Sequence, residues 1–217
     1  MTWTVTRRRG TAAELHALEL PSPAQRAVWF LEPTGPALVL GSAQPESVVA
    51  ADAARSGVDV VRRHSGGGAV LLVPGEVLWV DVIVPADDPL WVADVGRAFH
   101  WLGDAWAAAL AACGVGGVEV HHGPLVRNEW SGLLCFAGLG PGEVTLDGRK
   151  VVGISQRRTR AAARFQSVVL SGWDPVALAD LLAPSALPPS PVPFGAASGP
   201  GVALPELAAA FEAHLPT

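Results

Sequence analysis

The 217-residue sequence predicts a mixed α+β domain, with a largely antiparallel sheet flanked by helices. Three observations carry this. Short apolar runs rich in Val, Leu and Ile recur close together, separated by Pro and Gly turns too short for the crossovers that parallel strands need. That spacing excludes a doubly wound nucleotide-binding fold. One long stretch, 92–113, has the three- and four-residue apolar spacing of an amphipathic helix. Half of the residues are hydrophobic, enough to build one core.

The elements follow in order. Glu14 to Leu20 reads as a short helix. Ala27 to Leu31 and Ala37 to Leu40 read as strands on either side of a turn at Glu32-Pro33-Thr34-Gly35-Pro36. Pro45 to Arg55 reads as a helix, with Ser42 or Gln44 near its start and Gly57 beyond its end. Val58 to Arg62 is a strand, Ser65 to Gly68 a glycine turn, and Ala69 to Val73 and Val77 to Val84 are strands around Pro74-Gly75. Val92 to Cys113 is the clearest helix, with Asp87 or Asp88 as cap, Pro89 in its first turn and Gly114 at its end. Cys113 is then a core residue. Glu143 to Leu146 and Lys150 to Ser155 form a hairpin around Asp147-Gly148, a strong two-residue turn signal. Phe165 to Leu170 is a strand, Asp174 caps a helix through Leu182, and Leu204 to Leu215 is a last short helix. Residues 184–203, rich in Pro, Gly and Ser, connect the two. We expect residues 1–217 to form a single domain with no accessory domain.

Composition excludes several classes. The longest apolar region, 69–84, is broken by Pro74, Glu76 and Asp81, so no membrane span is expected. Arg7-Arg8-Arg9 is followed by Glu14, His16 and Glu19, not by the apolar segment of a signal peptide. A cytoplasmic protein is expected. A net charge of −5 argues against a nucleic-acid partner. The two cysteines, Cys113 and Cys135, make no disulfide framework or metal pattern, and His121-His122 has no third ligand at metal spacing. Arg62-Arg63 and the stretch from Arg149 to Arg164 hold eight of the fifteen Lys and Arg residues, as expected of a basic cleft for a small anion. Lys150 is the only lysine, a feature that chance and a need for an ammonium at this position explain equally well.

Three constellations carry chemistry. Arg62-Arg63-His64-Ser65-Gly66-Gly67-Gly68 lies between two strands. Its glycines let backbone N–H groups approach an anion, and its arginines suit a carboxylate or phosphate. It lacks the Gly-Lys-Ser/Thr of a Walker loop. In the segment from Asp147 to Arg158, strand alternation places Lys150, Val152 and Ile154 on one face, and Gly153 marks a close approach or a bulge. Cys135, near these cations, is either a thiolate nucleophile or a buried structural cysteine, and spacing alone favours the buried one.

Together these segments resemble the catalytic domain of the biotin/lipoate protein ligase family, over about Leu38 to Leu182. The early strand Leu38-Val39-Leu40-Gly41-Ser42-Ala43-Gln44, the arginine-glycine signature from Val60 to Val70 and the lysine segment from Gly148 to Arg158 carry the likeness. The resemblance implies that Lys150 contacts the acyl carbonyl and stabilises its developing charge. It implies that Arg62, Arg63, Ser65, Gly66, Gly67, Gly68, Gly153, Ser155 and Gln156 hold the acyl group or acyl-adenylate. The substrate would be lipoate or octanoate. The acceptor would be the lysine of a lipoyl domain, in a 2-oxoacid dehydrogenase or the glycine-cleavage H protein. Lipoate–protein ligases activate the acid with ATP and Mg; no tightly bound cofactor is implied. One group of octanoyltransferases instead forms a cysteine thioester, with acyl carrier protein as donor, and its Cys-Phe spacing matches Cys135-Phe136 to Lys150. The glycine signature resembles the ligase form, so ligase-type acyl transfer is the leading expectation, with the Cys135 thioester route and a non-catalytic acyl-binding paralogue as alternatives. The sequence departs from the family at Leu72-Val73, commonly His-Asp, and at Phe165-Gln166, commonly His-Gly.

Overall fold

The structure is a computed structural model describing residues 2–217; for residues 54 and 55 the backbone alone is described. The first half holds β1 (Thr4–Gly10), α1 (Ala12–His16), β2 (Ala27–Pro33), β3 (Ala37–Leu40), β4 (Asp59–Arg62), β5 (Val70–Leu72) and β6 (Val77–Pro85). The second holds α2 (His100–Ala112), β7 (Val118–Val120), β8 (Val144–Leu146), β9 (Arg149–Arg158), β10 (Ala162–Leu170), α3 (Pro175–Ala179) and α4 (Leu204–Ala213). Seven strands form one sheet in the order β1-β2-β6-β10-β9-β8-β7, and three form a second in the order β4-β3-β5. Every pair in the large sheet is antiparallel except β1 with β2, so the expected mixed, largely antiparallel sheet is what the chain builds.

The central strand β6 explains the layering. Leu78, Val80, Val82 and Val84 share a cluster with Leu102 and Trp106 of α2 and Phe211 of α4. Trp79 and Ile83, at the alternate positions, pack with Leu15 of α1, Val39 of β3 and Val70 and Leu72 of β5. Helices α2 and α4 thus cover one face, and the small sheet with α1 covers the other. Trp106 and Phe211 stack 3.9 Å apart, a pair that contributes about 0.5–1.5 kcal/mol beyond its buried area. The strands expected on either side of Pro33 and of Pro74-Gly75 form, but each turn carries the chain between sheets and neither joins a hairpin.

Several boundaries differ from expectation, each for a tertiary reason. Residues 45–55 are two 3-10 turns, Glu46–Val48 and Ala53–Ser56, with extended Val49 between them. Ala50 N–H donates to Leu181 O and Ala183 N–H to Val48 O, a β-like pairing that suits the branched Val48 and Val49. The long helix begins at His100, not Val92. Asp88 is held by Arg26 at 2.6 and 2.9 Å and caps only the turn to Leu90, while Arg158 takes the carbonyls of Val92 and Ala93. The first helix is Ala12–His16, set by a Thr11–Glu14 capping box. The helix capped by Asp174 stops at Ala179. The arginine run Arg7-Arg8-Arg9 lies in β1, an edge strand whose charges discourage pairing with another chain. Residues 184–203 are packed: Trp130 Nε1 donates to Ser190, Trp173 Nε1 to Pro193 O, and Ser198 N–H to Lys150 O. No helix is long and apolar enough to cross a membrane among the described residues.

Candidate active site

The glycine loop between β4 and β5, the β8–β9 hairpin and the loop 131–140 meet around a cleft of about 800 Å³. Gly66, Gly67, Gly68, Cys135, Lys150, Ser155 and Gln156 all line it. The sequence therefore points to one site from segments far apart in the chain.

The hairpin forms because Asp147 and Gly148 adopt φ values of +50° and +75°, the left-handed pair of a type I′ turn. Strict alternation along β9 does not hold. Thr145 pairs with Lys150 but Val144 pairs with Val152, so Val151 is an extra, bulged residue. The bulge puts Lys150 beside Gly153, not on a shared face with Val152. A Cβ on Gly153 would come within 3.3 Å of Lys150 Cε and 3.2 Å of the Phe136 ring, so this glycine is the close approach that its place in a strand implies.

Lys150 is buried, and its ammonium uses its three donors. Nζ lies 2.7 Å from Glu143 Oε2, 2.9 Å from Cys135 O and 3.2 Å from Gly138 O, with the Phe136 ring centroid at 5.0 Å. Glu143 is equally committed: its carboxylate accepts from Ile154 N–H and Gly140 N–H as well. The pair sets the path of 135–143 against β9. For Lys150 to reach a substrate carbonyl, one of its present partners must be exchanged.

Cys135 opens a short 3-10 turn, Cys135–Ala137, and is partly buried. Its N–H donates to Ala69 O, and Ala69 N–H donates to Leu133 O. A Cβ on Gly68 would fall 2.6 Å from the Leu134 carbonyl carbon and 2.8 Å from Cys135 N, so only glycine lets the loop and the cysteine lie this close. With Ile154 and Ser155, Cys135 also lines a narrow apolar cavity of about 30 Å³ that runs under the cleft between the two sheets.

The two signature arginines are held by main-chain carbonyls, Arg63 buried and Arg62 exposed. Arg62 donates to the carbonyls of Gly41 and Gln44 and stands outside the cleft. Arg63 donates to the carbonyls of Val39, Gly66 and Gly68, fixing the glycine loop from behind. Arg158 and Arg164 are likewise spent on main-chain and Asp81 oxygens. The expected basic cleft is thus not formed: Arg127 and Lys150 are the cationic side chains that line it. Ser65 bridges Ser155 at 2.9 Å and Gln166 at 3.1 Å, tying the loop to β9 and β10.

Sequence reading missed Glu143 as a site residue, although a lone acid opening an apolar strand opposite the only lysine is a usable signal. It also missed His16. This imidazole is buried beside Trp79, with ring centroids 4.4 Å apart, and lines the narrow cavity. Burial, then the charges of Arg164 and Arg63, lower its pKa to about 3. Of the two departures from the family pattern, Leu72 lines the same cavity and Gln166 stands between Ser65 and His16.

The fold of this two-sheet domain is shared with solved lipoate–protein ligases. The structure superposes on lipoate-protein ligase A bound with ATP at a TM-score of 0.70, with 17% identity over 97% of this chain and 83% of that one. The bipartite lipoate protein ligase of Thermoplasma acidophilum gives 0.70, with 16% identity over 99% and 82%. At such identities the likeness is one of fold. Residues 12–195 match the model of the lipoyl protein ligase A/B catalytic domain, and the chain belongs to that family. In sequence it is similar to the octanoyltransferases LipM of Moorella thermoacetica (32% identity over 53% of this chain) and Clostridioides difficile (27% over 46%). The matched regions cover 42% and 36% of those relatives, so the chain spans less than half of their length.

Proposed function

We propose that the chain transfers an octanoyl or lipoyl group to the lysine of a lipoyl domain through a thioester on Cys135. The observation that carries this is the position of Cys135, which with Ile154 and Ser155 lines both the open cleft and the narrow cavity, with Lys150 donating to its main-chain carbonyl at 2.9 Å. The Cys135 sulfur attacks the thioester carbonyl of an acyl-carrier donor. The new C–S bond forms as the donor C–S bond breaks, and the thiol proton leaves with the donor thiol. The acceptor lysine, as a neutral amine, then attacks the Cys135 thioester; an amide forms and the cysteine regains its proton. The acyl tail enters the cavity from the cleft and widens it as it seats, each buried methylene contributing about 0.8 kcal/mol. Lys150 is a positioning residue in this scheme: it holds the 135–138 turn and places positive charge beside the reacting carbonyl.

A lipoate ligase that forms an adenylate is the second reading, favoured by the exposed backbone of Gly66 and Gly67 in the cleft. The side chains do not fit magnesium–ATP as they stand. Glu143 is the cleft's carboxylate and is held by Lys150, and Arg127 is the cation left for phosphates. The test is to incubate the protein with a lipoyl domain of a 2-oxoacid dehydrogenase or a glycine-cleavage H protein. Octanoyl-acyl carrier protein is supplied in one arm, and lipoate with ATP and Mg in the other. A mass gain on the acceptor in the first arm alone is expected. A gain in the second arm alone replaces the thioester reading with the ligase one, and no gain in either defeats both.

A further inference from the structure

The narrow cavity is largely apolar, with His16, Arg63, Ser155 and Gln166 as its polar lining residues. Its mouth is made by Cys135, Ile154 and Ser155, which it shares with the cleft; His16, Trp79 and Gln166 lie beyond the shared rim. Imidazole is an unusual wall for an alkyl tail. Burying a polar nitrogen without a partner is costly, and Nε2 of His16 is buried and makes no hydrogen bond within the protein.

The neighbours fix which proton it carries. Gln166 Oε1 accepts from Ser65 Oγ at 3.1 Å, which orients the amide so that Nε2 of Gln166 faces His16 Nδ1 at 3.4 Å and Asp81 Oδ2 at 3.5 Å. An amide NH₂ donates, so Nδ1 of His16 accepts and its Nε2 bears the hydrogen. Protonation of the ring is opposed by burial and by Arg164, Arg63 and His64. His16, one of the residues that line the cavity, therefore holds a neutral, unspent N–H donor just behind its wall, within reach of a tail that widens the cavity.

We propose that His16 is a specificity determinant that selects acyl tails carrying a hydrogen-bond acceptor, a sulfur or oxygen atom, toward their distal end over plain alkyl tails of the same length. The inference rests on the acyl-transfer reading for the kind of ligand that enters. A site with a donor left unpaired by the alkyl tail discriminates against that tail, whereas a purely apolar wall would favour it.

The test uses free acids, so that it is independent of turnover. Octanoate, 6-oxooctanoate and lipoate are titrated calorimetrically into the wild-type protein, His16→Leu and His16→Gln. The wild type is expected to bind 6-oxooctanoate and lipoate about five- to tenfold more tightly than octanoate, the scale of one net hydrogen bond. His16→Leu reverses the order, binding octanoate more tightly than the wild type does. His16→Gln, which keeps a terminal N–H₂, regains part of the preference. In the wild type alone, the ¹⁵N resonance of His16 Nε2 shifts with 6-oxooctanoate or lipoate and not with octanoate, which keeps the test decisive should a variant fail to fold. Equal binding of the three acids by the wild type, or a preference unchanged in His16→Leu, overturns the inference, as does binding of none. A shift with lipoate but not 6-oxooctanoate assigns the selection to sulfur, and the converse to oxygen; either supports it. Acyl transfer with no discrimination at the tail defeats this inference alone, whereas discrimination without transfer to any lipoyl domain defeats the catalytic reading alone.

Discussion

Of the buried cation–carboxylate pairs that tie this molecule together, Arg164–Asp81 and Lys150–Glu143 differ most usefully in what lies beside them. Arg164 and Asp81 cross from β10 to β6, 2.6 Å apart, and the guanidinium also donates to the carbonyls of Leu15, His16 and Leu18. Its donors end on protein, under α1. Lys150 and Glu143 are 2.7 Å apart and equally saturated, yet they line the open cleft. In the first pair the ionic contact docks a helix. In the second it holds a cysteine-bearing turn where a ligand can reach it. Burial and ion pairing alone do not mark a residue of the candidate site; the difference is the cleft.

Breaking the first pair is expected to have the largest effect on stability. Arg164→Ala leaves the fully buried Asp81 unpaired and should cost about 3–5 kcal/mol in chemical denaturation. Breaking the second should show chiefly in activity. Lys150→Ala should lower acyl transfer about 10²-fold by misplacing the Cys135 turn, with a smaller loss of stability than Arg164→Ala, because water from the cleft can reach Glu143. An Arg164→Ala protein as stable as wild type would erase the distinction.

Intermediate in size is the change at Gly68→Ala. The added methyl meets the backbone of Leu134 and Cys135, so a loss of about 1–3 kcal/mol is expected, together with slowed transfer because Cys135 is displaced. Smallest near neutral pH is the titration of His16, whose main-chain carbonyl accepts from Arg164. Its folded pKa is about 3 and its unfolded value about 6.5. The unfolded chain binds the proton first, so stability is full above pH 6.5 and falls as pH drops toward 3, by up to about 1.4 kcal/mol per pH unit. His16→Leu should flatten that slope in denaturation measured between pH 7 and pH 4.

The cleft was legible in the sequence because its makers carry strong local signals: the glycine run 66–68, the Asp147-Gly148 turn and the lone Lys150 fall where short-range rules place them. What those residues touch was not legible. Arg62 and Arg63 look like ligand clamps in a string of letters, and only the fold shows that nearby carbonyls of Gly41, Gln44, Gly66 and Gly68 claim them. The bulge at Val151 reversed the face assigned to Lys150, since a one-residue register shift has no marker in a valine pair. Periodicity over Val92 and Val95 extended the long helix too far, because Arg26 and Arg158, distant in sequence, claim the turn before it. The edge strand β1 escaped notice because its residues are polar, as an edge requires.

The central claim is that the acyl group passes through Cys135. It is tested most directly by mixing the protein with octanoyl-acyl carrier protein, without acceptor, and recording its intact mass. The account predicts a gain of one octanoyl group, located on Cys135 by peptide mapping, released by hydroxylamine and absent in Cys135→Ala. A protein that transfers the acyl group to a lipoyl domain at the same rate with alanine at this position, and never carries the adduct, would contradict it.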